Sequence, residues 1–277
     1  MALSIHTNYS ALTTNTALNK SNSALTTNQQ RLGTGLRINS AADDAAGLQI
    51  ATRLNAQSRG MGVAMRNIGD SVSLLQTAEG ALSEMTDILQ RMKDLSTQAA
   101  NDTNSDADRT SLQAEFTELT AEMQNIFDNT KYAGDNLFTD KLTAAITFQI
   151  GSSNAEELSF DAIAQVTAVG TLLTNAATYD LSANGTAQTA MAGLEAGLDT
   201  IGALRAKFGA TINRLSHTSN NLANMKDNTE MAKGRIMDAD FAIESANMSK
   251  NSMLMQSGIS MLKQAGQMPG MVMGLLG

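Results

Sequence analysis

The amino-acid sequence predicts a mainly α fold: an elongated antiparallel helical rod resembling a coiled-coil bundle, with a small β-hairpin region and paired N- and C-terminal helical arms. The first observation is composition, because the chain has one proline and 4% aromatic residues in 277 positions, whereas proline usually makes up about 5% of a protein. The second is that apolar residues recur at steps of three and four over three long segments, as in amphipathic helices. The third is one short segment in which apolar and polar residues alternate, as in a half-buried strand.

The N-terminal arm, residues 1–42, combines a polar composition with a heptad repeat. Fifteen of its first thirty residues are Ser, Thr or Asn, which compete with a helix for backbone hydrogen bonds. Ala11, Leu18, Leu25 and Leu32 nevertheless recur every seven residues. A coiled coil has two apolar positions per heptad, so this arm supplies half of a seam. We predict that it is disordered in the free monomer and becomes helical in a coiled coil with a partner.

The segment 43–234 is predicted to form the helical body. Ser40 and Asp43 have the spacing of a capping box and predict a helix start at Ser40. Apolar stripes over 61–100 and 112–126 flank a polar run, and they predict two helices packed as an antiparallel pair. A third stripe predicts one long helix over 187–233.

The interval between the second and third stripes has a different period. Ile146, Phe148 and Ile150 alternate with polar residues, as do Leu158 and Phe160, so we predict a β-hairpin at about 140–162. Residues 163–186 are small and polar, without a clear period, and are predicted to form a variable surface loop. If glycans are attached, we expect them on the polar hydroxyls of this region, which are Ser152, Ser153, Thr171, Thr174, Thr178 and Ser182.

The C-terminal arm, residues 235–277, has the two apolar rows that the N-terminal arm lacks. We predict that it, like the N-terminal arm, is disordered in the free monomer and part of a coiled coil in the filament. Phe241, Met248, Met255 and Leu262 recur every seven residues, and so do Leu254, Met261 and Met268. Nine of the 17 methionines lie between 231 and 277. Because Met is flexible and fills irregular gaps, packing explains this enrichment better than metal or cofactor binding.

The composition excludes several kinds of chemistry. With no Cys, and with only two His residues that are far apart in sequence, thiol catalysis and a His-based metal cluster are not expected, and we predict no cofactor. The net charge is −8, and residues 1–42 and 245–277 carry five cations and no acids, so the middle of the chain is strongly acidic and a poor partner for nucleic acid. No apolar run is long enough for membrane insertion or for a cleaved signal peptide.

Three segments resemble the bacterial flagellin family. Residues 23–57 read SALTTNQQRLGTGLRINSAADDAAGLQIATRLNAQ and are similar to its N-terminal signature. Residues 65–101 read MRNIGDSVSLLQTAEGALSEMTDILQRMKDLSTQAAN and resemble the block that follows. Residues 235–276 read RIMDADFAIESANMSKNSMLMQSGISMLKQAGQMPGMVMGLL and are similar to the C-terminal signature. Two features depart from the family pattern, namely the Leu275-Leu276-Gly277 end and the many methionines.

This resemblance implies a structural subunit, not an enzyme, that polymerises into the extracellular flagellar filament used for swimming. It implies export of the unfolded chain through the flagellar type III secretion channel without a cleaved signal peptide. The terminal arms would form the inner tube of the filament and the long helices an outer tube, with no separate outer domain. The residues that we assign to assembly of the filament core are Ala11, Leu18, Leu25, Leu32, Phe241, Met248, Leu254, Met255, Met261 and Leu262.

The resemblance also implies partners other than further copies of the chain. These are an export chaperone at the C-terminal arm, the hook-associated junction and cap proteins, and a host Toll-like receptor. The positions that match the receptor surface of the family are Arg91, Leu95 and Glu115. At about 100° per residue, Arg91 lies away from the buried stripe and Leu95 lies at its edge, so we expect an exposed Leu beside the Arg. A plainer role for Arg91 is a surface ion pair with Asp87.

Three other classes of protein explain parts of the pattern. A cytoplasmic coiled-coil adaptor, such as a chaperone or signalling rod, explains the helices and the acidic body but not the absence of acids in 1–42 and 245–277. A membrane-active helix protein needs strongly basic polar faces, and here the two terminal segments carry only five cations. An enzyme fits least, because no nucleophile–base pair or ligand cluster stands out.

Overall fold

The computed structural model describes residues 7–276, with side chains as far as residue 267. The helices in this part of the chain are α1 (Tyr9–Thr34), α2 (Ala45–Ala99), α3 (Asp106–Asn129), α4 (Ile163–Ala176), α5 (Asn184–Met237) and α6 (Phe241–Leu276). The strands are β1 (Lys131–Tyr132), β2 (Asp135–Asn136), β3 (Ile146–Gln149) and β4 (Glu157–Phe160), with a 3-10 turn at Lys141–Thr143. The mainly α class with a small β-hairpin is confirmed. Within the described range, no helix combines the length and hydropathy that crossing a bilayer requires.

The described residues form two compact units. The arm unit contains the described residues up to 56 and from 228 onwards, and the core unit contains residues 57–227. The boundaries between the units therefore lie inside α2 and α5, and each of these helices contributes to both units.

In the arm unit, α1 and α6 run antiparallel. Near the start of α1, Asn8 Nδ2 donates to the backbone oxygen of Ala265, near the end of α6, at 2.7 Å. Near the other end of α1, Arg31 Nη1 lies 3.1 Å from Glu244 Oε1, one turn into α6. The structure thus contains the paired helical arms, whereas the disorder expected of both arms in the free monomer stays a prediction.

The chain leaves α1 through a glycine cap. Gly35 has a φ of 72°, and its N–H donates to the oxygen of Arg31 at 2.8 Å. This left-handed conformation costs glycine little because it has no Cβ. Leu36 then pairs with Asp238 in an isolated antiparallel bridge, which joins the segment after α1 to the segment between α5 and α6.

The helix start predicted at Ser40 is wrong, because α2 begins at Ala45. The capping side chain is that of Asp44, whose Oδ1 accepts from the N–H of Gly47 at 2.8 Å. Asp43 Oδ2 instead accepts from the N–H groups of Ser40 and Asn39, which closes a turn ahead of the helix. These hydrogen bonds, first that of Ser40, hold the pKa of the Asp43 carboxyl below its usual value.

In the core unit, α2 packs antiparallel to both α3 and α5, and the pair of helices predicted over 61–126 is confirmed. Ion pairs join successive levels of α2 and α5, with Arg205 Nη2 at 2.8 Å from Glu79 Oε1 and Lys93 Nζ at 3.5 Å from Glu195 Oε2. Most of the apolar stripe of α2 is buried in this unit, with no exposed surface at Leu75, Ala78, Leu82, Met85, Leu89, Met92 and Ala99. Helix α5 is one helix of 54 residues, as predicted from its apolar stripe.

The turn between α2 and α3 is fixed by a capping box and a buried arginine. Ser105 N donates to Asp108 Oδ2 at 3.0 Å, and Asp108 N donates to Ser105 Oγ at 3.3 Å. The Arg109 guanidinium is buried, where it donates to the oxygen of Ala99 and, at 3.1 Å, to that of Asn101. It therefore satisfies carbonyl groups that the end of α2 leaves without helical partners.

The predicted β-hairpin is confirmed over shorter strands. Strands β3 and β4 pair antiparallel from Ile146 opposite Phe160 to Gln149 opposite Glu157. Phe160 packs on Phe208 of α5 with ring centroids 5.5 Å apart, which fixes the hairpin to the helical core. A second and shorter hairpin, β1–β2, was not expected from the sequence.

The surface loop predicted over 163–186 is wrong for its first half, where the structure contains α4. The buried residues of α4 are Val166, Val169, Leu172, Leu173 and Ala176. Their steps of three and four form an apolar stripe that packs against the core. The exposed side of α4 is rich in Thr and Ala, and that composition obscures the period.

Candidate assembly and recognition surfaces

The seam between the arms uses the heptad row predicted for α1. Leu25 is buried, and Ala11, Leu18 and Leu32 are partly buried. Leu18 packs so closely over Gly258 of α6 that a Cβ at Gly258 would lie 3.1 Å from Leu18 Cδ1. The predicted row is therefore the face that α1 turns towards α6.

Two apolar rows are predicted on α6. Most residues of the first row are partly buried in the seam with α1, whereas those of the second row with described side chains are exposed. Met248, Met255 and Leu262 are partly buried and share a helix face with Gly258, which touches α1. Leu254 and Met261 of the second row are exposed, as is Phe241 at the start of the helix. Met268 of the second row lies outside the residues with described side chains. The exposed apolar residues of the two arms are Tyr9, Leu12, Phe241, Ile243, Met253, Leu254, Ile259 and Met261.

A buried polar cluster lies in the seam between the apolar levels. Its members are Asn28 and Arg31 of α1 and Glu244 and Asn251 of α6. Glu244 is buried, and one of its oxygens pairs with Arg31. With the Asn28 amide nitrogen facing Glu244, Asn28 donates to Glu244 Oε2 and accepts from Asn251 Nδ2, both at 3.1 Å. Because buried polar groups need their partners, this cluster opposes any shift of one arm along the other.

The sequence alone does not predict this cluster. The available signal was a pair of polar residues, Asn28 and Arg31, between Leu25 and Leu32 at the level of the seam. Such an interruption of an apolar row is typical of a residue that sets register.

Arg91 and Glu115 form an exposed ion pair between α2 and α3. Arg91 Nε and Nη2 donate to Glu115 Oε1 at 2.8 and 2.6 Å, and both side chains are about half exposed. The pairing of Arg91 with Asp87 considered from the sequence is therefore wrong, because the guanidinium reaches across to the next helix.

The expectation of an exposed Leu95 is also wrong. Leu95 has only 1% of its surface exposed and belongs to the hydrophobic core. It lies three residues after Met92 and four before Ala99, both fully buried, so it continues their stripe. Leu95 supports the helix beneath Arg91 and does not present a contact surface itself.

All six hydroxyl residues predicted as glycan acceptors are exposed. The hydroxyl groups of Thr171 and Thr174 donate to the backbone oxygens of Thr167 and Gly170 at 3.0 and 3.1 Å. Both side chains are exposed and lie on the outer face of α4. The Ser182 hydroxyl donates to Asp180 Oδ2 at 2.7 Å, and this hydrogen bond lowers the pKa of the Asp180 carboxyl.

One of the six hydroxyl residues, Ser152, packs against a neighbouring helix. A Cβ at Gly60 of α2 would lie 2.7 Å from the Cβ of Ser152, so the tip of the β3–β4 hairpin packs directly on that helix. Ser152 is therefore packed against α2 on one side, although its side chain remains exposed. Among the residues that the structure describes, no group of three or more His, Asp and Glu is arranged to hold a metal ion.

Comparison with known families gives two matches. The family described as the bacterial flagellin N-terminal helical region matches residues 5–143, and the one described as the bacterial flagellin C-terminal helical region matches residues 191–276. Together they cover most of the chain.

Comparison with curated proteins gives similar relatives. Flagellin A of Vibrio anguillarum and Flagellin A of Vibrio cholerae serotype O1 are each 34% identical over 379 aligned positions, with all of this chain and all of the relative covered. Because this chain has 277 residues, about 100 of those positions fall opposite gaps in it.

Among solved structures, Bacillus cereus flagellin is 35% identical, with a TM-score of 0.50 over 57% of this chain and 88% of that one. A putative flagellar hook-associated protein from Vibrio parahaemolyticus has a TM-score of 0.58 over 71% of this chain and all of the other. Its identity is 14%, so this second likeness concerns the fold alone.

Proposed function

The chain belongs to the bacterial flagellin family and is a structural subunit of the flagellar filament, not an enzyme, and from this premise we propose that its paired arms build the inner tube of that filament. The observation that supports this role is the row of exposed apolar residues on the arms, among them Leu254 and Met261. Contiguous apolar surface on a single chain marks an interaction site. The partner proposed for it is another copy of the same chain.

Electron microscopy of the purified chain after salting out tests this proposal. We expect long filaments. Dispersed rods would favour a coiled-coil adaptor, and patches on added lipid would favour a membrane-active helix protein. Either result would refute the assembly role of the arms.

We further propose that the subunit has no separate outer domain and that the core unit forms the outer tube. The gaps of about 100 positions against the Vibrio relatives support this proposal, because that length is enough for a small domain. Between β4 and α5 the chain has only α4 and short connections.

Export is proposed to occur as an unfolded chain through the flagellar type III channel, without a cleaved signal peptide, with a chaperone bound at the C-terminal arm. Exposed apolar residues of α6, such as Met253 and Leu254, would aggregate if left uncovered. A groove that accepts the apolar face of an amphipathic helix would cover them.

The hook-associated junction and cap proteins are proposed partners because the subunits at the two filament ends have arms without a further copy beside them.

Removal of residues 235–277 is expected to abolish chaperone binding, because it deletes the proposed recognition helix. The measurement is a pull-down of the cytosolic chaperone with each tagged chain. Removal of residues 1–35 is the matched control and should leave binding intact. Equal recovery of chaperone by the chain without 235–277 would contradict the proposal.

Arg91 and Glu115 are proposed as the receptor surface, with Leu95 beneath them as support. Replacing Arg91 by Ala is expected to lower the response of Toll-like receptor reporter cells to dissociated subunits by about tenfold or more, as at an interface hot spot. Folding should change little, since an exposed ion pair contributes under about 1 kcal/mol. Arg59→Ala, also exposed on α2, is the control. Equal responses from wild type and Arg91→Ala would remove Arg91 from the site.

Glycans, if attached, are proposed to occur on the exposed hydroxyls of the region around α4, with Ser152 disfavoured by its packing on Gly60. Mass spectrometry of peptides from native filaments would locate them. We expect occupied sites among Ser153, Thr171, Thr174, Thr178 and Ser182. Glycans found only within 61–125 would contradict this expectation.

A further inference from the structure

Two methionines of α6 are far more exposed than three methionines at the centre of the core unit. Met253 and Met261 of α6 have 65% and 62% of their surface exposed, whereas Met85, Met92 and Met123 of the core unit have none. Since oxidation of Met depends on access of the oxidant to sulfur, the two classes differ in reactivity within one chain.

The two exposed methionines lie on different faces of α6. Met261 lines the open cleft between the arms, together with Leu254 of α6 and Thr14 and Ala17 of α1. Met253 is five residues after Met248, or about 140° around the helix from that seam residue. Solvent therefore reaches both sulfur atoms while the chain is free, from two different sides of the arm.

We infer that Met253 and Met261 are oxidation sites at which peroxide controls assembly of the free subunit. Hydrogen peroxide transfers one oxygen atom to the thioether sulfur. The peroxide O–O bond breaks, an S–O bond forms, sulfur is oxidised by two electrons and the peroxide is reduced to water. The product is methionine sulfoxide, which is polar and chiral.

The sulfoxide blocks assembly because of where it is placed. Its oxygen accepts hydrogen bonds, and burying it against apolar side chains leaves it without a partner. In the free chain the sulfoxide stays in water, so oxidation at these two exposed positions breaks no contact of the seam. This inference rests on the proposed packing of the arms against other copies, which would bury both side chains. The same packing would shield the two sulfurs in finished filaments.

The first measurement maps oxidation. Free subunits and finished filaments are treated with the same dose of hydrogen peroxide, and their peptides are analysed by mass spectrometry. In free subunits we expect sulfoxide at Met253 and Met261, with Met85, Met92 and Met123 unmodified. In filaments we expect both arm methionines to be protected. Equal oxidation of arm and core methionines in free subunits would overturn the inference.

The second measurement asks whether oxidation controls assembly. The concentration of free subunit needed for polymerisation is expected to rise by about tenfold or more after peroxide treatment of the wild type. The variant Met253→Leu/Met261→Leu keeps the side-chain volume nearly unchanged, and the concentration at which it polymerises should be the same after treatment as in its own untreated sample. Met225→Leu/Met231→Leu on α5 is the matched control and should remain as sensitive as the wild type.

Two further results separate this inference from the proposed assembly role. If untreated wild type forms no filaments, the assembly role fails, and the inference that rests on it is overturned as well. If it forms filaments but the Met253→Leu/Met261→Leu variant loses assembly on treatment as the wild type does, only the inference is overturned. Treatment of oxidised subunits with both methionine sulfoxide reductases, one for each epimer, is expected to restore polymerisation. If both sulfoxides are reduced and polymerisation is still not restored, the inference is overturned.

Discussion

A chain that lacks residues 1–35 is expected to form no filaments, although its core unit stays folded and helical. The deletion removes α1 and with it the face that covers Met248, Met255 and Leu262 of α6. It also leaves the buried carboxylate of Glu244 without Arg31. Electron microscopy after salting out measures the assembly, and circular dichroism measures the remaining helix. Normal filaments from the shortened chain would contradict the role of the arms.

A pair of point substitutions makes the same test without deleting a helix. Leu25→Asp places a charge in the buried seam and is expected to prevent polymerisation, because a buried charge without a partner is strongly unfavourable. Asn22→Asp adds the same charge on the exposed side of α1 and should assemble as the wild type does. Equal assembly of the two variants would show that the seam is dispensable.

Replacing Phe208 by Ala is expected to lower the free energy of unfolding of the core unit by about 3–5 kcal/mol, the usual cost of a large cavity. Phe208 is fully buried in α5 and packs against Phe160 of the hairpin, so the substitution also loosens the attachment of β3 and β4. Urea unfolding followed by circular dichroism measures the shift of the midpoint.

Phe241→Ala is the matched control for this substitution, because Phe241 has 62% of its surface exposed. Its effect on unfolding should stay within about 0.5 kcal/mol, as for most surface substitutions. Filament formation should nevertheless weaken, since Phe241 belongs to the proposed assembly surface. A Phe208 variant as stable as the Phe241 variant would contradict the assignment of the core.

The long helices could be predicted from the sequence because each carries a stripe with the period of a helix. The stripe of α2 was identified from Met61 to Ala99, and the structure buries it. The start of α2 could not be predicted, because Ser40, Asp43 and Asp44 are all residues that cap helices. Only the hydrogen bond from Gly47 to Asp44 distinguishes them.

The missing predictions concern features that depend on tertiary packing. Helix α4 was missed because Thr and Ala on its outer face weaken the contrast with its buried Val and Leu residues. The sequence predicts Leu95 at the edge of the apolar stripe of α2. Whether a residue at that edge is buried depends on how the neighbouring helices pack against it. The ion pair of Arg31 with Glu244 joins residues 213 positions apart, and no local pattern connects them.

The large distance in sequence between the paired residues of α1 and α6 determines when the arms can pair during synthesis. The ribosome synthesises α1 before α6, and the residue that accepts the hydrogen bond of Asn8 lies 257 positions further along the chain. During this interval we expect α1, a polar segment, not to form a stable helix by itself. The arms pair only when α6 has emerged, so a nascent chain that stops before α6 does not display paired arms. Pairing of the arms thus shows that synthesis has passed through α6.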